Sequence, residues 1–239
     1  MDTRLNDLKI KIFADGADLQ GMIEMNAQPL IQGLTTNPTL MRKAGISDYK
    51  KFAKTVLREI SVKPISFEVF SDDLPEMKRQ GLEIAGWASN VYVKIPVTTT
   101  KGESTAEIVN DLANQGVKLN VTAIMTTDQV QTIFDALVPN TPSYISVFAG
   151  RIADTGLNPV PIMASALEIL KTNGSCELIW ASPRELYNLF QAEEIGCNII
   201  TATNDILKKL EIVGYDLTSY SLDTVKMFYR DALAAGFQL

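Results

Sequence analysis

The sequence of 239 residues predicts one (β/α)8 barrel, the TIM-barrel fold, over residues 1–239, with 221–239 as a C-terminal helical extension. Short β-branched runs alternate eight times with longer amphipathic stretches, which is the pattern of a parallel sheet covered by helices. No Pro/Gly-rich linker divides the chain, whose length suits such a barrel. An open dinucleotide-binding sheet is the rival, but IFADGAD, after the first strand, lacks the pattern G-x-G-x-x-G.

The predicted strands are rich in Val, Ile, Phe and Tyr and are bounded by polar residues, Gly or Pro. They are Lys9–Ala14, Ile31–Thr35, Pro64–Phe70, Val91–Pro96, Lys118–Ile124, Ser143–Ala149, Glu177–Ala181 and Asn198–Ala202. Since both faces of a parallel barrel sheet are covered, near-continuous apolar runs are what the fold requires.

Amphipathic stretches occupy the intervals between these strands. The clearest predicted helices are Ser47–Ile60, Asp128–Leu137, Pro161–Leu170 and Pro183–Ala192. The last two begin at a proline, which suits the first turn of a helix. A further amphipathic segment, Leu222–Ala235, predicts a terminal helix after the eighth strand.

Polar residues interrupt four of the predicted strands at a constant interval. Glu68, Lys94, Asn120 and Ser146 are separated by 94 − 68, 120 − 94 and 146 − 120, which all equal 26. This phase predicts that they converge inside the barrel, near the carboxyl ends of the strands, where active sites of this fold lie. Thr122 alternates with Asn120 and shares its face. A structural Lys94–Glu68 ion pair is the alternative, but it leaves the other polar residues unexplained.

Further candidate residues end neighbouring strands at the same rim. Asp15 closes the first strand and Asn37 lies in GLTTNP after the second, although each also fits an ordinary turn or helix start. Arg151 follows the sixth strand, and Ser182 and Arg184 follow the seventh. Two guanidinium groups together with the main-chain amides of a helix start would hold a phosphate dianion; two solvated surface arginines are the alternative.

Composition excludes several kinds of chemistry and partner. The chain has no histidine, which excludes Ser-His-Asp and Cys-His catalysis and His-rich metal sites. Cys176 and Cys197 lack metal-ligand spacing and are expected to be buried small side chains. A net charge of −6 argues against binding to nucleic acid. Without an apolar leader in MDTRLNDLKIK or an apolar run of about 18 residues, we expect a cytoplasmic protein that binds no membrane.

Four motifs follow one another on successive predicted units: GLTTNPTL, VYVKIPVT, KLNVTAI and YISVFAGRI. In this order and at these intervals they resemble the transaldolase family, and most closely its short branch, which also contains the fructose-6-phosphate aldolases. The resemblance extends from about Asp15 to Arg184. It implies a TIM barrel and a Schiff-base lysine, with no metal and no cofactor.

The resemblance implies a role for each matching residue. Lys94 matches the Schiff-base lysine, and Asp15 matches the aspartate that handles the proton of the hydroxyl at the cleaved bond. Glu68 and Thr122 match the pair that positions the water used in dehydrating the carbinolamine. The implied substrate-binding residues are Thr36, Asn37, Asn120, Ser146, Phe148, Arg151, Ser182 and Arg184.

The implied activity is a transaldolase acting on sugar phosphates. It would transfer a dihydroxyacetone unit from sedoheptulose 7-phosphate or fructose 6-phosphate to glyceraldehyde 3-phosphate or erythrose 4-phosphate. Glu68 and Phe148 favour transfer, since the aldolases usually carry glutamine and tyrosine there. The alternatives are a fructose-6-phosphate aldolase-like enzyme that releases free dihydroxyacetone and a catalytically silent sugar-phosphate-binding barrel. Gly16 and Glu185 depart from the usual family residues. The C-terminal helix of the short branch often packs on a neighbouring subunit, which implies a homo-oligomer.

Overall fold

The computed structural model describes Leu5 and residues 7–238, and its eight strands form one closed parallel barrel. The strands are β1 (Lys11–Asp15), β2 (Ile31–Thr35), β3 (Ile65–Glu68), β4 (Val91–Pro96), β5 (Leu119–Ile124), β6 (Ser143–Val147), β7 (Cys176–Ala181) and β8 (Ile199–Thr203). Each strand pairs with the next along the chain, and β8 pairs with β1. The predicted (β/α)8 fold is therefore confirmed, and every predicted strand overlaps an observed one.

Helices follow the strands along the chain. They are α1 (Leu19–Ala27), α2 (Pro38–Lys43), α3 (Tyr49–Glu59), α4 (Leu74–Ala85), α5 (Ala106–Asn114), α6 (Thr127–Ala136), α7 (Ala149–Asp154), α8 (Val160–Leu170), α9 (Tyr187–Glu194), α10 (Asn204–Leu207) and α11 (Leu217–Ala234), with a 3-10 turn at Lys208–Ile212.

Two predicted helix boundaries differ from the observed ones. The predicted helix start at Pro183 is wrong, because Ser182 has a left-handed φ of 61°. In addition, the amides of Arg184 and Glu185 donate to the Asn188 side chain instead of opening a helix. The terminal helix begins at Leu217, before the predicted 221.

Strand register explains most of the constant interval between the polar residues. Glu68 pairs with Lys94, and Lys94 pairs with Asn120, so these three side chains are neighbours across the sheet. At β6 the equality fails, because Asn120 pairs with Tyr144 and Ser146 lies two residues nearer the carboxyl end. The register also shifts between Val121 and Ile124. Because barrel strands tilt relative to the axis, register partners differ in axial height, and Ser146 still meets Asn120 inside the barrel through a 2.7 Å hydrogen bond.

Apolar packing fills the interior of the barrel beneath the polar residues at its carboxyl end. A cluster of Phe13, Tyr144, Ile179, Ala181 and Ile199 is buried within the ring of strands. Tyr144 stacks on the Tyr92 ring with centroids 4.1 Å apart. Because side chains alternate along a strand, this packing puts Asp15 and Lys94 above the same interior.

The larger core lies between the outer face of the sheet and the helices. Val93 and Ile95, which flank Lys94, are fully buried there. Cys176 and Cys197 are also buried, as predicted. Across the described part of the chain, no helix has both the length and the apolar character needed to cross a membrane.

Candidate active site

A cavity of about 440 Å³ opens at the carboxyl ends of the strands. Eleven of the twelve sequence-predicted site residues line it: Asp15, Asn37, Glu68, Lys94, Asn120, Thr122, Ser146, Phe148, Arg151, Ser182 and Arg184. They come from β1, β3, β4, β5 and β6 and from the segments that follow β2, β6 and β7. The barrel thus brings together residues that are far apart along the chain.

Lys94 is held at the centre of this cavity by two oxygen atoms. Its Nζ lies 3.2 Å from Glu68 Oε2 and donates to the Thr36 carbonyl oxygen at 3.1 Å. The Lys94 residue is only 6% exposed, so its amine is largely removed from bulk water. The Tyr49 hydroxyl donates to the main-chain oxygen of Glu68 at 2.7 Å, which fixes the end of β3. A buried amine beside a carboxylate can exchange a proton with it, directly or through one water molecule.

Asn120 and Ser146 form a hydrogen-bonded wall next to Lys94. The Ser146 hydroxyl donates to Asn120 Oδ1 at 2.7 Å, and Asn120 Nδ2 donates to Ser66 Oγ at 2.9 Å. By contrast, the Thr122 hydroxyl is buried and has no partner within the described residues. An unpartnered buried hydroxyl is costly, so Thr122 is suited to bond a ligand or a water molecule in the cavity.

Asp15 is anchored on both carboxylate oxygens. Thr35 donates its hydroxyl to Oδ1 at 2.9 Å, and Asn37 donates Nδ2 to Oδ2 at 3.3 Å. Burial raises the pKa of Asp15 above its ordinary value, although the charge of Lys94 and these two hydrogen bonds oppose the rise. An aspartate in this environment takes up a proton closer to neutral pH than an exposed one does.

Thr36 is the predicted site residue that does not line the cavity. Its side chain is fully buried and donates to the Ser66 carbonyl oxygen at 2.8 Å, so only its own carbonyl oxygen faces Lys94. The preceding residue, Thr35, lines the cavity instead, together with Thr201 of β8. Thr35 ends β2 and Thr201 lies within β8, and a hydroxyl near the carboxyl end of a barrel strand is the signal in the sequence that could have identified them.

The arginines at the cavity mouth have different surroundings. Arg184 donates through Nε to Asp154 Oδ1 at 2.8 Å and through Nη2 to Asp154 Oδ2, while its Nη1 bonds the hydroxyl and carbonyl oxygens of Ser182. The Arg151 guanidinium has no salt-bridge partner within the described residues. Asp154 was not predicted, and nothing in its local sequence distinguishes it from an ordinary surface acid of a helix.

The predicted helix-start amides are not available to an anion. The amides of Arg184 and Glu185 donate to Asn188 Oδ1 at 2.8 and 3.2 Å. The expected combination of two free guanidinium groups with main-chain amides is therefore wrong in its details. The mouth carries the Arg151 guanidinium, the Ser182 hydroxyl and the partly engaged Arg184.

Gly150 permits the close contact between the segments that carry these arginines. A Cβ built on Gly150 would lie 1.6 Å from the Ser182 carbonyl oxygen and 2.7 Å from the Ser182 carbonyl carbon. Since both are main-chain atoms, no side-chain rotation relieves the overlap. We expect Gly150→Ala to lower the free energy of unfolding by about 3 kcal/mol.

Urea denaturation measures this prediction as a lower midpoint. Gly174→Ala is the matched control, because a Cβ on Gly174 meets nothing within 4 Å. Equal midpoints for the two variants would contradict the contact between Gly150 and Ser182.

Comparisons with known proteins agree on a family. The sequence profile of the family described as Transaldolase/Fructose-6-phosphate aldolase matches residues 12–238. A "Probable transaldolase" of Dehalococcoides mccartyi is 32% identical over 202 residues, which cover 84% of this chain and 90% of that protein. Another from Thermoanaerobacter sp. strain X514 is 32% identical over 224 residues, covering 93% and 98%.

A solved structure gives independent support for the fold alone. A protein assigned to the dihydrodipicolinate synthase family from Coccidioides immitis superimposes with a TM-score of 0.60 at 13% sequence identity. The match covers 97% of this chain and 80% of that one. At this identity the likeness extends to the barrel and carries no statement about activity.

Proposed function

The chain belongs to the transaldolase/fructose-6-phosphate aldolase family, and from this membership we propose that it is a transaldolase that works through a Schiff base on Lys94. The observation that carries the proposal is the buried Lys94 amine, 3.2 Å from a Glu68 carboxylate oxygen in a cavity that also holds Asp15. A desolvated amine next to a proton acceptor is the arrangement that a nucleophilic lysine requires.

Schiff-base formation is the first step. Lys94 gives a proton to Glu68 or to a water molecule beside it, and its Nζ then attacks C2 of the ketose phosphate to give a carbinolamine. The unpartnered Thr122 hydroxyl bonds the water that carries protons to and from the C2 oxygen. Loss of that oxygen as water leaves a C=N⁺ bond between C2 and Lys94, which acts as the electron sink.

Cleavage of the C3–C4 bond follows. Asp15 takes the proton of the C4 hydroxyl, the electrons of the C3–C4 bond move towards the iminium nitrogen, and an aldose phosphate leaves. The dihydroxyacetone unit stays on Lys94 as an enamine, hydrogen-bonded by Asn37, Asn120 and Ser146. A second aldose phosphate enters and the steps reverse, with Asp15 returning its proton to the new C4 oxygen.

The phosphate group of each sugar binds at the cavity mouth. Arg151 supplies a guanidinium without a salt-bridge partner in the described structure, and Ser182 supplies a hydroxyl. A phosphate that approaches Arg184 meets a cation already engaged by Asp154. Because a charge-assisted bond to a dianion is strong, partial engagement of Arg184 favours release of each aldose phosphate before the next one binds.

The experiment that tests the proposal is an assay with paired donors and acceptors. Fructose 6-phosphate with erythrose 4-phosphate should give sedoheptulose 7-phosphate and glyceraldehyde 3-phosphate. The rate of product formation should depend on the concentrations of both substrates. Free dihydroxyacetone formed without an acceptor would instead identify a fructose-6-phosphate aldolase-like enzyme. Tight binding of fructose 6-phosphate without turnover would identify a silent sugar-phosphate-binding barrel.

The terminal helix α11 supports a further part of the proposal, a homo-oligomer. None of the residues of α11, all of which the structure describes, is buried. It exposes a series of large apolar side chains: Leu217, Tyr220, Leu222, Val225, Phe228, Tyr229 and Leu233. Monomers rarely expose so much contiguous apolar surface, so a second copy of the chain is the expected cover. Light scattering should give a mass of at least twice 26.3 kDa. A monomer at micromolar concentration would contradict this.

A further inference from the structure

A row of hydroxyl groups leads from β8 to the carboxylate of Asp15. Thr201 Oγ1 lies 2.6 Å from Thr35 Oγ1, which in turn donates to Asp15 Oδ1 at 2.9 Å. Thr35 is 2% exposed and Thr201 is 6% exposed, so bulk water does not compete for these contacts. Thr201 does not touch Asp15 itself in this chain of bonds and reaches it only through Thr35.

The direction of each hydrogen bond follows from counting protons. Asn37 Oδ1 accepts from the Leu40 amide at 2.9 Å. The side-chain NH₂ of Asn37 therefore faces Asp15, and it can only donate to the carboxylate. Thr35 has one hydroxyl proton, which it gives to the Asp15 carboxylate. The 2.6 Å contact therefore has Thr201 as its donor when Asp15 is charged.

A protonated Asp15 keeps the same polarity. Its proton, taken from the C4 hydroxyl, faces the substrate, and Oδ1 can still accept from Thr35 because a neutral carboxyl keeps acceptor capacity. The donation from Thr201 through Thr35 to Asp15 therefore persists in both states and is strongest when Asp15 is charged.

We propose that Thr201, acting through Thr35, is a positioning residue that holds Asp15 in both protonation states through which it passes in a turnover. This rests on the proposed function, in which Asp15 takes the C4 hydroxyl proton and later returns it. Nothing else is transferred: the two threonine protons stay on their own oxygens. The pair keeps Asp15 fixed whether it is charged or protonated.

Other charged groups also act on Asp15, and the test has to keep them constant. Lys94 on β4 lowers its pKa, and Glu68 on β3 pairs with Lys94. Arg151 and Arg184 line the same cavity after β6 and β7. Because Thr201 is uncharged, replacing it leaves all four groups in place, so any change in the titration of Asp15 is assigned to the lost hydroxyl.

The variant Thr201→Val removes the hydroxyl and preserves the shape of the side chain. Thr35 can still donate to the carboxylate, but its oxygen loses the bond from Thr201 that strengthens this donation, so charged Asp15 is disfavoured. Titration of the Asp15 carboxyl by ¹³C NMR, assigned with Asp15→Asn, should show a midpoint about half a pH unit higher than in the wild type. Thr201→Ser keeps a hydroxyl and should restore the wild-type midpoint.

A stability control separates positioning from folding. Thr105 is a buried threonine whose hydroxyl donates to the Pro96 carbonyl oxygen at 2.7 Å, and Thr105→Val should lower stability without moving the Asp15 midpoint. If Thr201→Val does not fold, Thr201→Ala takes its place. An Asp15 midpoint in the Thr201 variant equal to that of the wild type would overturn the proposal.

Activity provides the second readout. With fructose 6-phosphate, the acid limb of kcat/KM should shift to higher pH in Thr201→Val and return in Thr201→Ser, while the titration of the substrate phosphate is common to all variants. A limb that does not move would also overturn the proposal. If the wild type transfers nothing, the proposed function fails, and the NMR titration still decides the role of Thr201 by itself.

Discussion

Replacing Lys94 with methionine is expected to lower transaldolase activity by roughly 10⁵-fold. Methionine has a similar length and no amine, so neither the carbinolamine nor the iminium can form. Borohydride added with fructose 6-phosphate should leave a reduced three-carbon adduct on the wild-type Lys94 peptide. The variant should show no adduct by mass spectrometry.

Two further variants make the Lys94 experiment specific. Lys94→Arg keeps a cation beside Glu68, but a guanidinium does not lose its proton, so this variant should be as inactive as Lys94→Met. Lys118→Met removes an amine that instead bonds the Ser89 carbonyl oxygen, and it should keep wild-type activity. An active Lys94→Arg enzyme, or an adduct on another lysine, would contradict the assignment of the nucleophile.

Replacing Asp15 with asparagine is expected to lower the rate of C3–C4 cleavage by about 10²- to 10⁴-fold, because the C4 hydroxyl then has no general base. The two side chains have nearly the same shape, and Thr35 can still donate to the Oδ1 atom of the asparagine. Lys94 is unchanged, so the iminium should still form. Single-turnover assays should therefore show lost cleavage, while borohydride traps the whole six-carbon sugar on Lys94.

Asp18 offers a matched control for this experiment. Its side chain caps α1 by accepting from the Gly21 amide at 2.7 Å, and asparagine is an equally good cap. We expect Asp18→Asn to keep both activity and stability. If Asp15→Asn cleaved fructose 6-phosphate at the wild-type rate, Asp15 would not be the base.

The eight strands could be predicted because a parallel sheet covered on both faces leaves a strong local signal. Residues Ile31–Thr35 and Val91–Pro96 were predicted with the bounds that the structure has. Two predicted strands extend beyond the observed ones at their carboxyl ends, because the chain leaves the sheet or begins a helix there. Phe70, predicted in a strand, is 65% exposed after β3 has ended, and Ala149 already begins α7.

The inward position of Glu68, Lys94 and Asn120 was also present in the sequence. One polar residue per strand–helix unit at a constant interval requires a regular register, and the pairing of β3, β4 and β5 has that register. The interval does not match the register at β6, because Asn120 pairs with Tyr144 and 144 − 120 is 24. Ser146 nevertheless reaches the cavity and donates to Asn120. The offset between two strands depends on the contacts of both and leaves no periodic trace in one of them.

The sequence by itself determined the order of the elements, the closed barrel and the end of the barrel at which polar side chains gather. Hydrophobic periodicity and the spacing of charged residues are local properties that one chain displays along its length. The tertiary structure alone decided which atoms meet: Thr35 rather than Thr36 at the cavity, Asp154 on Arg184, and Thr201 behind Asp15. These contacts join residues 20 to 166 positions apart, and their distances depend on strand tilt, register and loop path, which no local pattern contains.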